Sequence, residues 1–165
     1  MAELPEIRPI EDRDWDRVFA IFRATVAEGA TYAYPEDLTS EVARSLWIEG
    51  PPGETIVALR DGDILGTAKF GPNRPARGSQ VSTASFMVSA DARGSGVGRA
   101  TCEHVIARAR AQGYAAMQFN AVVSTNFPAI ELYRKLDFVT IGTVPGAFDH
   151  ATLGRVGLNI MYLAL

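Results

Sequence analysis

Arg93-Gly94-Ser95-Gly96-Val97-Gly98-Arg99 decides how this chain is read. It follows an apolar, strand-like run, Ala84-Ser85-Phe86-Met87-Val88, and opens a helix-like one from Ala100 to Ala111. The glycines at 94, 96 and 98 let the backbone turn tightly and place no Cβ between it and a ligand. A helix that begins there directs its unpaired N–H groups and positive dipole end at whatever occupies the loop. Strand, glycine loop and helix N-terminus together make an anion site suited to a phosphate or pyrophosphate.

Spacing narrows the ligand. The dinucleotide fingerprint needs G-x-G-x-x-G in a first βα unit, with an acidic residue about 20 positions on. Here the glycines alternate, past mid-chain, with no βαβ unit before them. The Walker A loop needs a lysine that is absent. Read as Arg-x-x-Gly-x-Gly on Arg93, Gly96 and Gly98, the loop resembles the acetyl-CoA loop of the GNAT N-acetyltransferases. Taken alone, the pattern also fits a glycine-rich turn before an ordinary helix.

A second stretch answers that alternative. Asn126-Phe127-Pro128-Ala129-Ile130-Glu131-Leu132-Tyr133-Arg134-Lys135-Leu136-Asp137-Phe138 resembles the other GNAT signature, Asn-x-x-Ala-x-x-Leu-Tyr-x-Lys-x-Gly-Phe. Asn126 suits an N-cap, and Pro128 is tolerated in a first turn. Ala129, Leu132, Tyr133 and Leu136 recur at helical spacing and put Tyr133 on the apolar face. By itself this is a capped amphipathic helix with a packed tyrosine. In order after the glycine loop, with one strand between, the pair identifies the chain as a member of the family. Asp137 departs from the family glycine, but Asp tolerates a left-handed cap.

Composition bounds the alternatives. At 165 residues the chain is expected to form one domain, 1–165, with a single core. A net charge of −3 argues against a nucleic-acid binder, which would show a basic patch or stripe. No apolar run reaches the length of a membrane span, and Met1-Ala2-Glu3-Leu4-Pro5 lacks the regions of a signal peptide, so a cytoplasmic protein is expected. Cys102 stands alone on an apolar stripe with Val105, Ile106 and Ala109 and reads as core. His104 and His150 sit at unrelated positions, so no metal is expected.

In chain order, a weak strand at Ile7–Ile10 precedes a helix capped near Asp12 and running to Glu28. A loop with Tyr32 and Tyr34 follows, then a helix capped at Thr39 or Ser40 that stops at Gly50-Pro51-Pro52-Gly53. Thr55–Leu59 and Ile64–Phe70 read as strands turned at Asp61-Gly62. Gly71–Gly78 reads as a mobile loop and Val81–Val88 as a strand; Gly113 is placed to close the helix after the glycine loop. Ala116–Val122 is a strand, Phe127–Leu136 a helix, and Phe138–Thr143 and Leu158–Leu163 are final strands. Such an order gives an α+β fold rather than regular βα alternation. Residues 159–165 are apolar on both faces, which fits either burial against another layer or a homodimer.

The resemblance implies the rest. The fold is then a GNAT-like mixed, mostly antiparallel, splayed central sheet of about seven strands flanked by about four helices. Acetyl-CoA is the co-substrate. Its pantetheine arm lies between the splayed strands on Phe86, Met87 and Val88, with a main-chain N–H there polarising the thioester. Its pyrophosphate rests on Arg93, Gly94, Ser95, Gly96, Val97, Gly98 and Arg99. Asn126 binds the arm and Tyr133 protonates or hydrogen-bonds the departing thiolate. Asn120, Tyr32, Tyr34 and Glu28 are the candidates for the acceptor side, with Glu28 and Glu36 the weaker candidates for a base and His150 near the acceptor pocket.

The activity implied is direct transfer of an acetyl group to the primary or secondary amine of a small molecule, an amino acid or analogue. The motifs Asn120–Asn126, Ile141–Phe148, Glu28–Tyr32 and Gly157-x-x-x-Met161 are also similar to the azetidine-2-carboxylate and phosphinothricin acetyltransferase groups. The alternatives are a protein N-terminal or lysine acetyltransferase and a non-catalytic acyl-CoA-binding module.

Overall fold

A computed structural model describes residues 4–165; the first three residues of the stretch inspected for a leader lie outside the described residues. In chain order the elements are β1 (Glu6–Pro9), α1 (Trp15–Ala27), α2 (Ser40–Trp47), β2 (Glu54–Arg60), β3 (Asp63–Pro72), β4 (Val81–Val88), α3 (Val97–Ala111), β5 (Ala116–Val123), α4 (Phe127–Lys135), β6 (Val139–His150) and β7 (Gly154–Ala164). The strands form one seven-stranded sheet in the order β1-β2-β3-β4-β5-β7-β6. Every neighbouring pair is antiparallel except β4–β5.

Strand alternation splits the core between the two faces of the sheet. Ile56, Ala68, Phe70, Met117, Phe119 and Met161 pack with Cys102, Val105 and Ala109 of α3 and Ile130 of α4. Val57, Leu59 and Met87 pack on the other face with Trp15, Val18 and Phe22 of α1 and Trp47 of α2. The Asp61-Gly62 turn has positive φ at both residues, 53° and 83°, as a two-residue hairpin requires. Thr39 caps α2 by accepting from Val42 N–H at 3.3 Å.

Local competition moved several boundaries. The first helix begins at Trp15, after a 3-10 turn over Asp12–Asp14. Asp14, not Asp12, holds its start: the carboxylate accepts from Glu11 N–H at 2.7 Å and from the Arg8 guanidinium at 2.6 and 2.9 Å. α3 begins at Val97 rather than Ala100, because Val97 is fully buried with Ala58 and Ala92 and pins the first turn to the sheet. Gly71 and Pro72 belong to β3, and Asn73 N–H still bonds Val81 C=O at 2.8 Å, so the expected mobile loop is tied at its base.

The last two strands are much longer than expected. The first is expected to end at Thr143 and the second to begin at Leu158, yet the register passes from Val144↔Leu158 to Phe148↔Val156, bulging Pro145-Gly146-Ala147 opposite Gly157. Proline and glycine inside a strand pattern mark a bulge when pairing resumes beyond it. β7 is paired on both edges by β5 and β6; Met161 and Leu163 are buried, while Leu158, Ile160 and Tyr162 on the other face are only partly covered.

Candidate active site

The parallel β4–β5 ladder has only the pairs Val81↔Ala116 and Ser82↔Met117. Beyond them the strands part. Ser89 N–H donates to Leu65 C=O at 2.8 Å and Val81 C=O accepts from Asn73 N–H, so odd-numbered residues of β4 direct their main chain to the β3 side. By the two-residue period, Ala84, Phe86 and Val88 direct theirs into the gap. Met87 also lines the cleft, but not through its main chain. Met87 turns its main chain to β3 and its side chain, 2% exposed, into the α1/α2 core, leaving no polar group for an arm in the gap.

The gap opens into one cleft of about 1070 Å³ that spans the sheet. Residues of the glycine loop line it beside Glu28, and Asn126, Tyr133, Thr31, Tyr32, Tyr34, Asn120 and His150 line the rest. Most of the sequence candidates therefore converge on one continuous space; Glu36, which is exposed, and Ser95 and Val97 of the glycine loop, the latter fully buried, are not among the lining residues.

At the loop end, Gly96 is the N-cap of α3 with φ 88°, a left-handed conformation that glycine takes without strain. Gly94 is also left-handed, at 77°. The first turn of α3 presents its free N–H groups to the cleft, as an anion site requires. Both loop arginines are engaged: Arg93 donates to Glu28 at 2.6 Å, and Arg99 to Glu103 at 2.8 Å. Glu28, one of the acceptor candidates, thus ties the loop after α1 to the glycine loop.

In the middle, Tyr133 is half-buried on α4, with its ring 4.6 Å from Phe119 and 6.3 Å from Phe86. Burial, then the proximity of Cys102 and Tyr32, raises its pKa well above that of a free phenol. It stays protonated and able to donate a hydrogen bond. Asn126 caps α4 by accepting from Ala129 N–H at 3.4 Å, and Asp137 takes the left-handed position, φ 68°, that ends this segment. Cys102 is fully buried, and burial pushes its thiol up to about 12, as befits a core residue.

At the far end, Tyr32 and Tyr34 stack with centroids 5.8 Å apart. Asn120 Nδ2 donates to Asn73 Oδ1 at 2.6 Å and its Oδ1 accepts from Gln118 at 2.9 Å. Ala151 N–H donates to Gly29 C=O at 2.9 Å, which joins the loop after α1 to the β6–β7 turn. His150 lies at the end of β6 rather than in a loop, and its Nδ1 accepts from Thr152 N–H at 3.2 Å. Two contributors were missed in the sequence. Asn73 sat in the segment expected to be mobile, and Thr31 carries a buried Oγ1 without a hydrogen-bond partner on the cleft wall.

Among the described residues no group of three or more His, Cys, Asp or Glu is placed to hold a metal, and no helix is long and apolar enough to cross a membrane.

The acetyltransferase (GNAT) family profile matches residues 13–138. The chain belongs to this family. It is 33% identical over 150 residues to an L-methionine sulfoximine/L-methionine sulfone acetyltransferase of Pseudomonas aeruginosa, covering 88% of this chain and 80% of that one. A GCN5-related N-acetyltransferase from Kribbella flavida superposes with a TM-score of 0.96 at 50% identity over the full length of both chains. A ribosomal-protein-alanine N-acetyltransferase from Brucella melitensis superposes at 0.86 with 27% identity, over 97% of this chain and 99% of that one. The protein is an acetyl-CoA-dependent N-acetyltransferase with the family's splayed sheet.

Proposed function

We propose that the chain, acting as one domain over residues 1–165, acetylates the amine of a free amino acid or close analogue, and that it works in the cytoplasm. The observation that carries this is the bridge across the acceptor end. The Gly29–Ala151 hydrogen bond bridges its two walls, and a Cβ on Gly29 would stand 2.7 Å from Ala151 Cβ, so the bridge is tight. Behind it the lining is small, aromatic and amide-bearing, and Thr31 Oγ1 offers an unused donor and acceptor. An extended peptide needs an open groove. The likeness to an enzyme of methionine sulfoximine and sulfone supports the same acceptor class.

In the transfer, the pyrophosphate sits on the amides from Arg93 to Arg99 and the arm pairs with the gap side of β4. The amine nitrogen bonds to the acetyl carbon, and the carbonyl π pair moves onto oxygen. When that pair returns, the C–S bond breaks and CoA leaves as thiolate. Tyr133 donates a hydrogen bond to the sulfur, and the proton lost by the amine neutralises it through solvent. Glu28 is held by Arg93 and the Nδ1 of His150 is engaged by Thr152 N–H, which leaves water to carry the proton.

Thiol release from acetyl-CoA over a panel of amino acids, their sulfone and sulfoximine analogues, and alanine-led peptides tests this. Turnover is expected with amino-acid analogues and not with peptides. The likeness to a ribosomal-protein-alanine enzyme favours a second reading, protein N-terminal acetylation, and peptide turnover without any amino-acid turnover would establish it instead. A homodimer through the edge strand β6 is supported by the apolar side chains of Val139, Ile141 and Val144, which are 57%, 58% and 47% exposed.

A further inference from the structure

Phe86 has no free polar group in the gap. Its N–H donates to the Tyr32 hydroxyl at 3.0 Å, and that hydroxyl donates to its C=O at 2.6 Å. One phenol from the loop after α1 thus occupies the place of a paired strand residue. The ring is not free to swing. It stacks on Tyr34 and meets Trp47 edge-on at 6.2 Å, and Trp47 is fully buried with its indole N–H bonded to Thr67 at 3.0 Å. Tyr32 enters the gap from the α1/α2 face and Tyr133 from the α3/α4 face. Both reach Phe86: Tyr32 through its hydroxyl, and Tyr133 with its ring 6.3 Å from that of Phe86.

A thioester lying along β4 therefore meets a hydroxyl where a bare main-chain amide was expected. We propose that Tyr32 is a catalytic residue whose O–H donates to the thioester oxygen and to the oxyanion that forms there. The proton turns about the phenol C–O bond, from Phe86 C=O to the thioester oxygen. Phe86 N–H keeps donating to the phenol oxygen, and a hydroxyl that accepts one hydrogen bond donates a stronger one. The released Phe86 carbonyl is then open to an N–H of the incoming amine, which would aim its lone pair at the acetyl carbon. Burial raises the Tyr32 pKa, so the group remains a donor at every working pH. The two phenols divide the labour: Tyr32 serves the oxygen and Tyr133 the sulfur.

This rests on the thioester position proposed above, and the test separates the two. Acetonyl-CoA, a ketone that cannot transfer its acyl group, is bound with its carbonyl carbon labelled, and the carbonyl stretch is read by infrared difference spectroscopy. The wild-type band should move to lower wavenumber than in water-free solvent. In Tyr32→Phe it should return upward, while Tyr133→Phe leaves it in place. Turnover of acetyl-CoA by Tyr32→Phe should fall about 10²-fold, the scale of one lost oxyanion donor. A difluorotyrosine at position 32, a stronger donor with the same ring, should move the band further down, and needs no variant that disturbs packing. A band unmoved in the wild type would overturn both the thioester position and the role of Tyr32. A band that moves in the wild type and is the same in Tyr32→Phe and with difluorotyrosine would overturn the role of Tyr32 alone.

Discussion

Gly98 lies in the first turn of α3 without a positive φ, and a Cβ added there would stand 3.5 Å from Val88 Cγ2, an ordinary contact. Alanine in place of glycine within a helix stabilises by up to about 1 kcal/mol. The same methyl group would project where the pyrophosphate must approach the amides. Gly98→Ala should thus hold or raise the melting temperature while weakening acetyl-CoA binding in calorimetry; unchanged affinity would remove the loop's close approach to phosphate. Gly96 is a poorer probe, since its left-handed φ would strain any side chain whether or not a ligand binds.

For Tyr133 the informative change is Tyr133→Phe. Its ring packs against Phe119, Phe86 and Phe138, and Phe keeps those contacts. Acetyl-CoA affinity should hold while kcat falls about 10²-fold with little change in the acceptor KM. Full-rate turnover would make the residue purely a packing element. Tyr133 was legible because a fixed spacing within one helix places it on the apolar side. The bond from Tyr32 to Phe86 spans 54 residues, and no local pattern encodes it.

At the scale of the element, α4 shows how one residue can serve fold and site together. Asn126 caps the helix through Oδ1, which leaves Nδ2 as the group able to meet the pantetheine arm. Asn and Asp cap about equally well. Asn126→Asp keeps the cap and deletes the donor, so the melting temperature should stay within about a degree or two of the wild type, given that 1 kcal/mol moves a domain of this size by about 2–4 °C. The KM for acetyl-CoA should rise. If Asn126→Asp binds normally and only Asn126→Ala is impaired, the residue is a cap alone.

Elements whose ends are set by their own residues were read closely: the Asp61-Gly62 hairpin, Thr39, Asn126 and Gly113 all sit where expected. Ends set by tertiary pairing were not. Val97 joins α3 because it is buried under the sheet, and β6 continues past Pro145 because β7 resumes its ladder on the far side of the bulge. That extension carries Phe148 and His150 onto a strand wall of the cleft.

Across the whole molecule, the sheet is held together at β4–β5 by two register pairs at one end and left open at the other. Ligand binding should therefore strengthen the fold at its weakest seam. At 100 times its Kd, acetyl-CoA should add about 2.7 kcal/mol to stability. That raises the melting temperature by about 5–10 °C for a chain of this length. The residues protected should follow the parity of β4. Ala84 and Val88 turn their main chain to the gap without a partner strand, so their amide protons should exchange markedly more slowly once the arm pairs with them. Met87, bonded toward β3, should change least. Phe86, which already donates to Tyr32, should start protected and gain little. Hydrogen exchange with and without acetyl-CoA reads all four amides in one experiment. A large gain confined to Phe86 would mean that the arm displaces Tyr32 and pairs directly with the strand, whereas protection at 84 and 88 around an unchanged Phe86 would mean that the phenol stays in place as a fixed part of the site.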